Sequence, residues 1–101
     1  NFLVALEQTA AELLDGIAVE RPRRVLAPLI ERSLANWAER GPAALTGPIA
    51  RGDEATVGMH RAALADRRPD LLGLYDALTE RTRAVASGAG FEGGGAGEVT
   101  A

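Results

Sequence analysis

Apolar residues recur at three- and four-residue steps along most of this chain, and no stretch shows the strict alternation of a half-buried strand. From Phe2 to Asp15 the apolar stripe is Phe2, Leu3, Leu6, Ala10, Leu13 and Leu14, with Glu7, Gln8, Glu12 and Asp15 on the other side. That spacing predicts an amphipathic helix. Gly16 suits the left-handed position after a helix, and Ile17 the apolar residue that packs back behind it. No capping residue or Pro precedes Phe2, so the helix is expected to begin upstream of residue 1. A second helix is expected to open near Pro22, with Leu26, Leu29, Ile30, Ser33, Leu34 and Trp37 as its stripe. Pro28 removes a backbone donor inside that pattern and predicts a kink. Gly41-Pro42 ends the helix.

After a loop, Asp53 is the expected N-cap of a third helix, with Glu54 favourably placed in its first turn. Val57, His60 and Leu64 share one face of it. Gly58 weakens this helix by about 1 kcal/mol relative to Ala. Pro69 opens a fourth helix whose stripe is Leu71, Leu74, Tyr75, Leu78 and Val85. From Ser87 onward the chain turns to Gly and Ala and reads as a flexible tail. The expected fold is all-α: a small bundle of about four helices over residues 1–86, the first truncated at its N-terminus, followed by a tail over 87–101.

Composition narrows the chemistry. The chain has 101 residues, with a formal net charge of −3, no Cys and one His. That length allows one small domain, which buries roughly 60–65% of its unfolded surface and folds with little margin. Disulfides, thiolate metal sites and a Cys nucleophile are excluded, and a single His argues against a His-based metal centre. All basic residues are Arg, interspersed with acids, so no basic patch marks a nucleic-acid partner. No apolar run reaches the ~20 residues of a membrane span.

The segment Leu45-Thr46-Gly47-Pro48-Ile49-Ala50-Arg51-Gly52-Asp53 carries more backbone-special residues than a simple connector needs. Shaped loops on rigid scaffolds often carry function. Gly47 and Gly52 are spaced as in a phosphate-binding P-loop, but Asp53 and Glu54 follow where Lys and Ser/Thr are required. Two carboxylates repel a phosphate, and no strand precedes the loop. Arg51-Gly52-Asp53 also spells an adhesion tripeptide, with no secretory signal or disulfide frame to display it. Arg51 offers a guanidinium fork suited to a carboxylate or phosphate, or else a salt bridge. The Thr46 hydroxyl serves either a ligand or its own turn. His60 is either a core group or an acid–base group. The small-residue surface of the first helix, Ala5, Ala10 and Ala11, allows close helix contact either in a core or between subunits. No Ser/His/Asp arrangement is present.

Taken together, the helix Asn-Phe-Leu-Val-Ala-Leu, the Pro-Leu-Ile helix, the nine-residue loop, Thr-Val-x-x-His and Pro-Asp-Leu-x-x-Leu-Tyr-x-x-Leu resemble one family. It is the C-terminal domain of the Rossmann-like proteins that carry the DUF2520 domain, grouped with bacterial NAD(P)-dependent oxidoreductases of ketopantoate-reductase-like layout. The resemblance spans about residues 1–86. It implies a helical domain that dimerises through its first helix and completes a substrate pocket beside its own N-terminal dinucleotide-binding domain. By position it implies Asn1, Thr46, Gly47 and Arg51 as substrate-binding residues, Asp53 as a structural cap, and His60 as a candidate catalytic acid. Asn1 corresponds to an Asn midway along the family's long helix. The substrate implied is a small anionic metabolite, in a cytoplasmic enzyme without nucleic-acid or membrane partners. The Gly-rich nucleotide fingerprint and its βαβ unit are absent here, so NAD(P) is expected to be bound mainly by the missing domain. No cofactor or metal is expected for this chain alone, nor catalysis. The alternative is a non-catalytic helical interaction module whose apolar faces bind a partner helix.

Overall fold

The computed structural model describes residues 1–88, and every regular element among them is helical. The tail expected from Ser87 therefore lies, from residue 89, outside the described residues. The chain forms two compact units, Asn1–Gly41 and one that begins at Pro42.

The first unit is a helical hairpin of α1 (Phe2–Gly16) and α2 (Pro22–Arg40). At the first residue the Asn1 carbonyl already accepts the helical bond from the Ala5 amide at 2.9 Å, and its Oδ1 accepts the Phe2 amide at 2.8 Å. Pro28 lies inside α2 without ending it. Gly41, at φ 58°, closes α2 by donating its amide to the Trp37 carbonyl.

The end of α1 differs from the sequence expectation. Gly16 is its last helical residue, and Ala18 (φ 63°) takes the left-handed position instead. The reason lies in the hydrogen bonds. Val19 donates to the Leu14 carbonyl and Ala18 to that of Asp15, both at 3.0 Å, which is the Schellman closure with Ala18 at C′. Arg21 (φ 52°) is left-handed as well and caps α2 with no side-chain bond. Two non-glycine residues thus hold the turn in a costly conformation.

Only part of the expected apolar stripe of α1 packs inward: Ala10 and Leu14 are half-buried beside Ala11, while Phe2, Leu3, Leu6 and Leu13 are exposed. Ala11 is the only buried residue of either helix. Glu7 and Gln8, expected on the outer side, instead line a groove against Leu26 and Ile30 of α2. Phe2, Leu6 and Leu13 cluster within about 40° of the helix wheel, centred about 160° from Ala11, and Ile17 follows just past the helix end. They stay accessible, Phe2 at 83% and Ile17 at 57%. On α2, Leu29, Leu34 and Trp37 are exposed too.

The second unit starts with a 3₁₀ turn reaching Ala44 and continues as α3 (Pro48–Arg51), α4 (Glu54–Arg67) and α5 (Leu72–Ser87). The expected loop therefore contains a full helical turn, because Pro48 presets a first-turn φ and Gly52 (φ 73°) supplies the left-handed exit. Pro69 opens a 3₁₀ turn, Pro69–Leu71, rather than α5 itself. α4 and α5 run antiparallel: Glu54 pairs with Arg83, His60 with Tyr75 and Arg61 with Asp76. Val57 and Thr79, midway in that register, are the buried residues of the unit. α3 packs on both long helices.

The left-handed Ala18 gives a stability test. Ala18→Gly removes a Cβ penalty of about 1–2 kcal/mol at an exposed site. We expect the melting temperature of the chain to rise. An unchanged or lower value in thermal denaturation would mean that Ala18 does not occupy this conformation in solution.

Candidate functional site

The centre of the second unit's chemistry is the junction between α3 and α4. A helix leaves its first amides without partners, and a short acceptor at the preceding position satisfies one of them. Asp53 does so with both oxygens. Its Oδ1 accepts the Thr56 amide at 3.1 Å and its Oδ2 the Thr56 hydroxyl at 2.7 Å. The Asp53 amide donates back to the Pro48 carbonyl at 2.8 Å, so the same residue closes α3. Arg51 reaches the Asp53 carboxylate only loosely, at 3.7 Å, and its side chain is 63% exposed. The hydroxyl and amide of Thr56, with the Arg51 charge behind them, hold the Asp53 carboxyl below its usual range.

Gly47 precedes α3 at φ 95°, and its carbonyl accepts the Arg51 amide at 3.1 Å. Only a glycine meets that conformation without strain. Thr46, next to it, is exposed. The loop thus presents an accessible hydroxyl and an accessible guanidinium at the two ends of one helical turn.

His60 stands two turns along α4 from this junction. It was expected on an apolar face with Val57 and Leu64. Val57 is buried and Leu64 half-buried, but His60 is exposed. Its Nδ1 lies 3.0 Å from the Tyr75 hydroxyl of α5, with the two rings edge to face at 82°. One residue further along both helices, Arg61 grips Asp76 in a two-pronged ion pair of 2.7 and 2.8 Å. That guanidinium lowers the Asp76 carboxyl, as Arg83 lowers Glu54.

The structure brings together Arg51 and Asp53 side by side, with Gly47 and Thr46 one turn away. His60 bonds to Tyr75 rather than to the loop. Asn1 belongs to the first unit, where it caps α1. Two partners were missed by sequence reasoning, Thr56 and Tyr75. The signal for Thr56 was its place three residues after a capping Asp. Tyr75 was assigned to an apolar stripe, although a phenol there needs a hydrogen-bond partner. The first unit adds a groove of about 450 Å³ whose lining mixes Val4, Leu26 and Ile30 with Glu7, Arg23 and Glu31. No group of acidic or His side chains among the described residues is arranged to hold a metal ion. No helix among them is long and apolar enough to cross a membrane.

The description of the family termed "Domain of unknown function (DUF2520)" matches residues 1–82. The chain belongs to the DUF2520 family. No curated protein and no solved structure matches it.

The cap predicts an acid-sensitive unit. The Asp53 carboxyl is lowered in the folded state, so its contribution is complete above the ordinary value of 3.8 and is lost as pH falls below it. Glu54, Asp70 and Asp76 are lowered in the same sense, each chiefly by an arginine hydrogen bond. We expect Asp53→Ala to lower the melting temperature at pH 7 and to reduce the further loss on going to pH 3. Equal losses at both pH values, read by circular dichroism, would remove the ionised cap from this account.

Proposed function

We propose that this chain is the helical part of an NAD(P)-dependent oxidoreductase, contributing subunit contact and one wall of a pocket for a small anionic substrate. The observation that carries the reading is Arg51. It is the last residue of a short helix, and its guanidinium lies mostly in solvent and is only loosely engaged by Asp53. A planar cation offered this way suits a carboxylate or phosphate. Thr46 and Gly47 add a hydroxyl and a glycine that lets a ligand approach the backbone. Hydride transfer needs a dinucleotide from another domain, while groups of this kind fix and polarise the substrate. His60 stands as the candidate acid. The enzyme is cytoplasmic in this reading.

The subunit contact rests on α1. Phe2, Leu6 and Leu13 on α1, with Ile17 just after it, lie away from α2 and stay accessible among the described residues. A hairpin of this size with one buried residue is too small to be stable by itself. Pairing of this stripe with the same stripe of a second copy buries it. The same exposed faces also suit the second reading, a non-catalytic module that binds a foreign helix. Turnover separates the two.

Two outcomes are expected. With the protein joined to its nucleotide-binding domain, a screen of small keto and imino acids should detect NAD(P)H oxidation. There Arg51→Ala should lower kcat/KM at least about tenfold, the loss of one charged contact, without lowering the melting temperature. Kinetics that do not change would remove Arg51 from the site. In sedimentation, the chain should run as a dimer, and Leu6→Glu with Leu13→Glu should abolish the dimer. A wild-type chain that stays monomeric while folded would count against the α1 contact.

A further inference from the structure

A phenol is neutral at pH 7, carries one proton, and donates it more readily than its ring-depleted oxygen accepts one. A neutral imidazole has one nitrogen with a proton and one without, and the partner of one nitrogen decides the state of the other. His60 Nδ1 and the Tyr75 hydroxyl lie 3.0 Å apart, across the antiparallel pair of α4 and α5. The ring centroids are 6.0 Å apart and nearly perpendicular, a favourable edge-to-face arrangement that restrains the imidazole plane. The neighbouring two-pronged bond of Arg61 to Asp76 fixes the local register of the two helices. Tyr75 is half-buried while His60 is exposed, so the pair has a held end and an open end.

We propose that Tyr75 is a positioning residue: by donating its hydroxyl proton to His60 Nδ1, it holds the imidazole as the Nε2–H tautomer, with that N–H as the donor offered to a substrate. The inference rests on the reading of this domain as part of an oxidoreductase and names the atom through which His60 acts. The alternative polarity, with Nδ1–H donating to the phenol oxygen, leaves the phenolic proton without an acceptor among the described residues and gives Nε2 a lone pair. In the favoured polarity His60 gives a proton, or a hydrogen bond, to the oxygen or nitrogen of a carbonyl or imine as hydride reaches its carbon. The Nε2 proton moves to that heteroatom as the Tyr75 proton moves to Nδ1, which leaves a neutral imidazole and a phenolate that solvent reprotonates. The substrate class is a carbonyl or imine compound with an anionic group for Arg51.

The chain has one His and one Tyr, so each gives a single signal. Long-range ¹H–¹⁵N NMR of the labelled chain, recorded at alkaline pH, should show Nδ1 unprotonated and Nε2 protonated. Tyr75→Phe keeps the ring and removes only the hydroxyl, and its spectrum should relax toward the mixed tautomers of a free imidazole. Identical spectra for the two proteins, or a protonated Nδ1 in the wild type, would overturn the proposal. The second arm uses the protein joined to its nucleotide domain, with NADPH and the keto and imino acid panel. General acid–base catalysis is worth about 10²–10⁴-fold, so Tyr75→Phe should lower kcat at least about tenfold with KM unchanged. A fixed tautomer with unchanged kcat would overturn the catalytic part of the inference while leaving the Arg51 reading intact. A fixed tautomer with no turnover of any compound by the wild type would overturn the oxidoreductase reading and leave the tautomer assignment standing.

Discussion

Asp53 joins two helices through a single residue, and the arrangement of the second unit depends on that joint. Its amide completes the last turn of α3 and its carboxylate satisfies the first turn of α4. Gly52 makes this possible, because a left-handed residue is needed to reverse the chain between the two helices. The Thr56 hydroxyl occupies the second carboxylate oxygen, leaving Arg51 at the longer distance of 3.7 Å. A tighter cap therefore leaves a freer guanidinium. The position of Arg51 is set by stability, and its availability follows from the same contacts.

Polar contacts mark the edges of the pairing of α4 with α5. Three cross-helix pairs mark the register, yet only Val57 and Thr79 are buried between them. Exposed ion pairs stabilise little, because solvent and side-chain entropy offset most of the attraction. Two-pronged geometry nevertheless fixes orientation. These pairs specify how the helices align more than they hold them together. The hydroxyl of Thr79 is buried with no hydrogen-bond partner among the described residues, which further limits what this core contributes.

Much of this was legible in the chain itself. The 3.6-residue periodicity placed four long helices, and Asp53 followed by Glu54 marked the start of α4, since capping is local chemistry. The end of α1 was misplaced by two residues. Gly16 has the conformational freedom for the left-handed position, but the bonds from Val19 to Leu14 and from Ala18 to Asp15 put Ala18 there. The turn of helix within the loop was hidden because two Gly and a Pro in nine residues read as irregular backbone. Of the candidate site, the chain showed Arg51 and His60 as isolated residues. Tyr75 lies fifteen residues from its partner, a separation at which no local pattern operates.

The sequence by itself determined the helical class, the cap at Asp53 and the absence of thiolate chemistry, because each follows from residue identity and near-neighbour spacing. Membership of the DUF2520 family was also legible from its short motifs. Only the tertiary structure decided which faces are covered. Amphipathicity shows that α1 has an apolar side, but not that only the part around Ala10, Ala11 and Leu14 is covered. It also decided that His60 meets Tyr75 at an exposed edge, because helix register is set by contacts between distant residues rather than by the pattern within either helix.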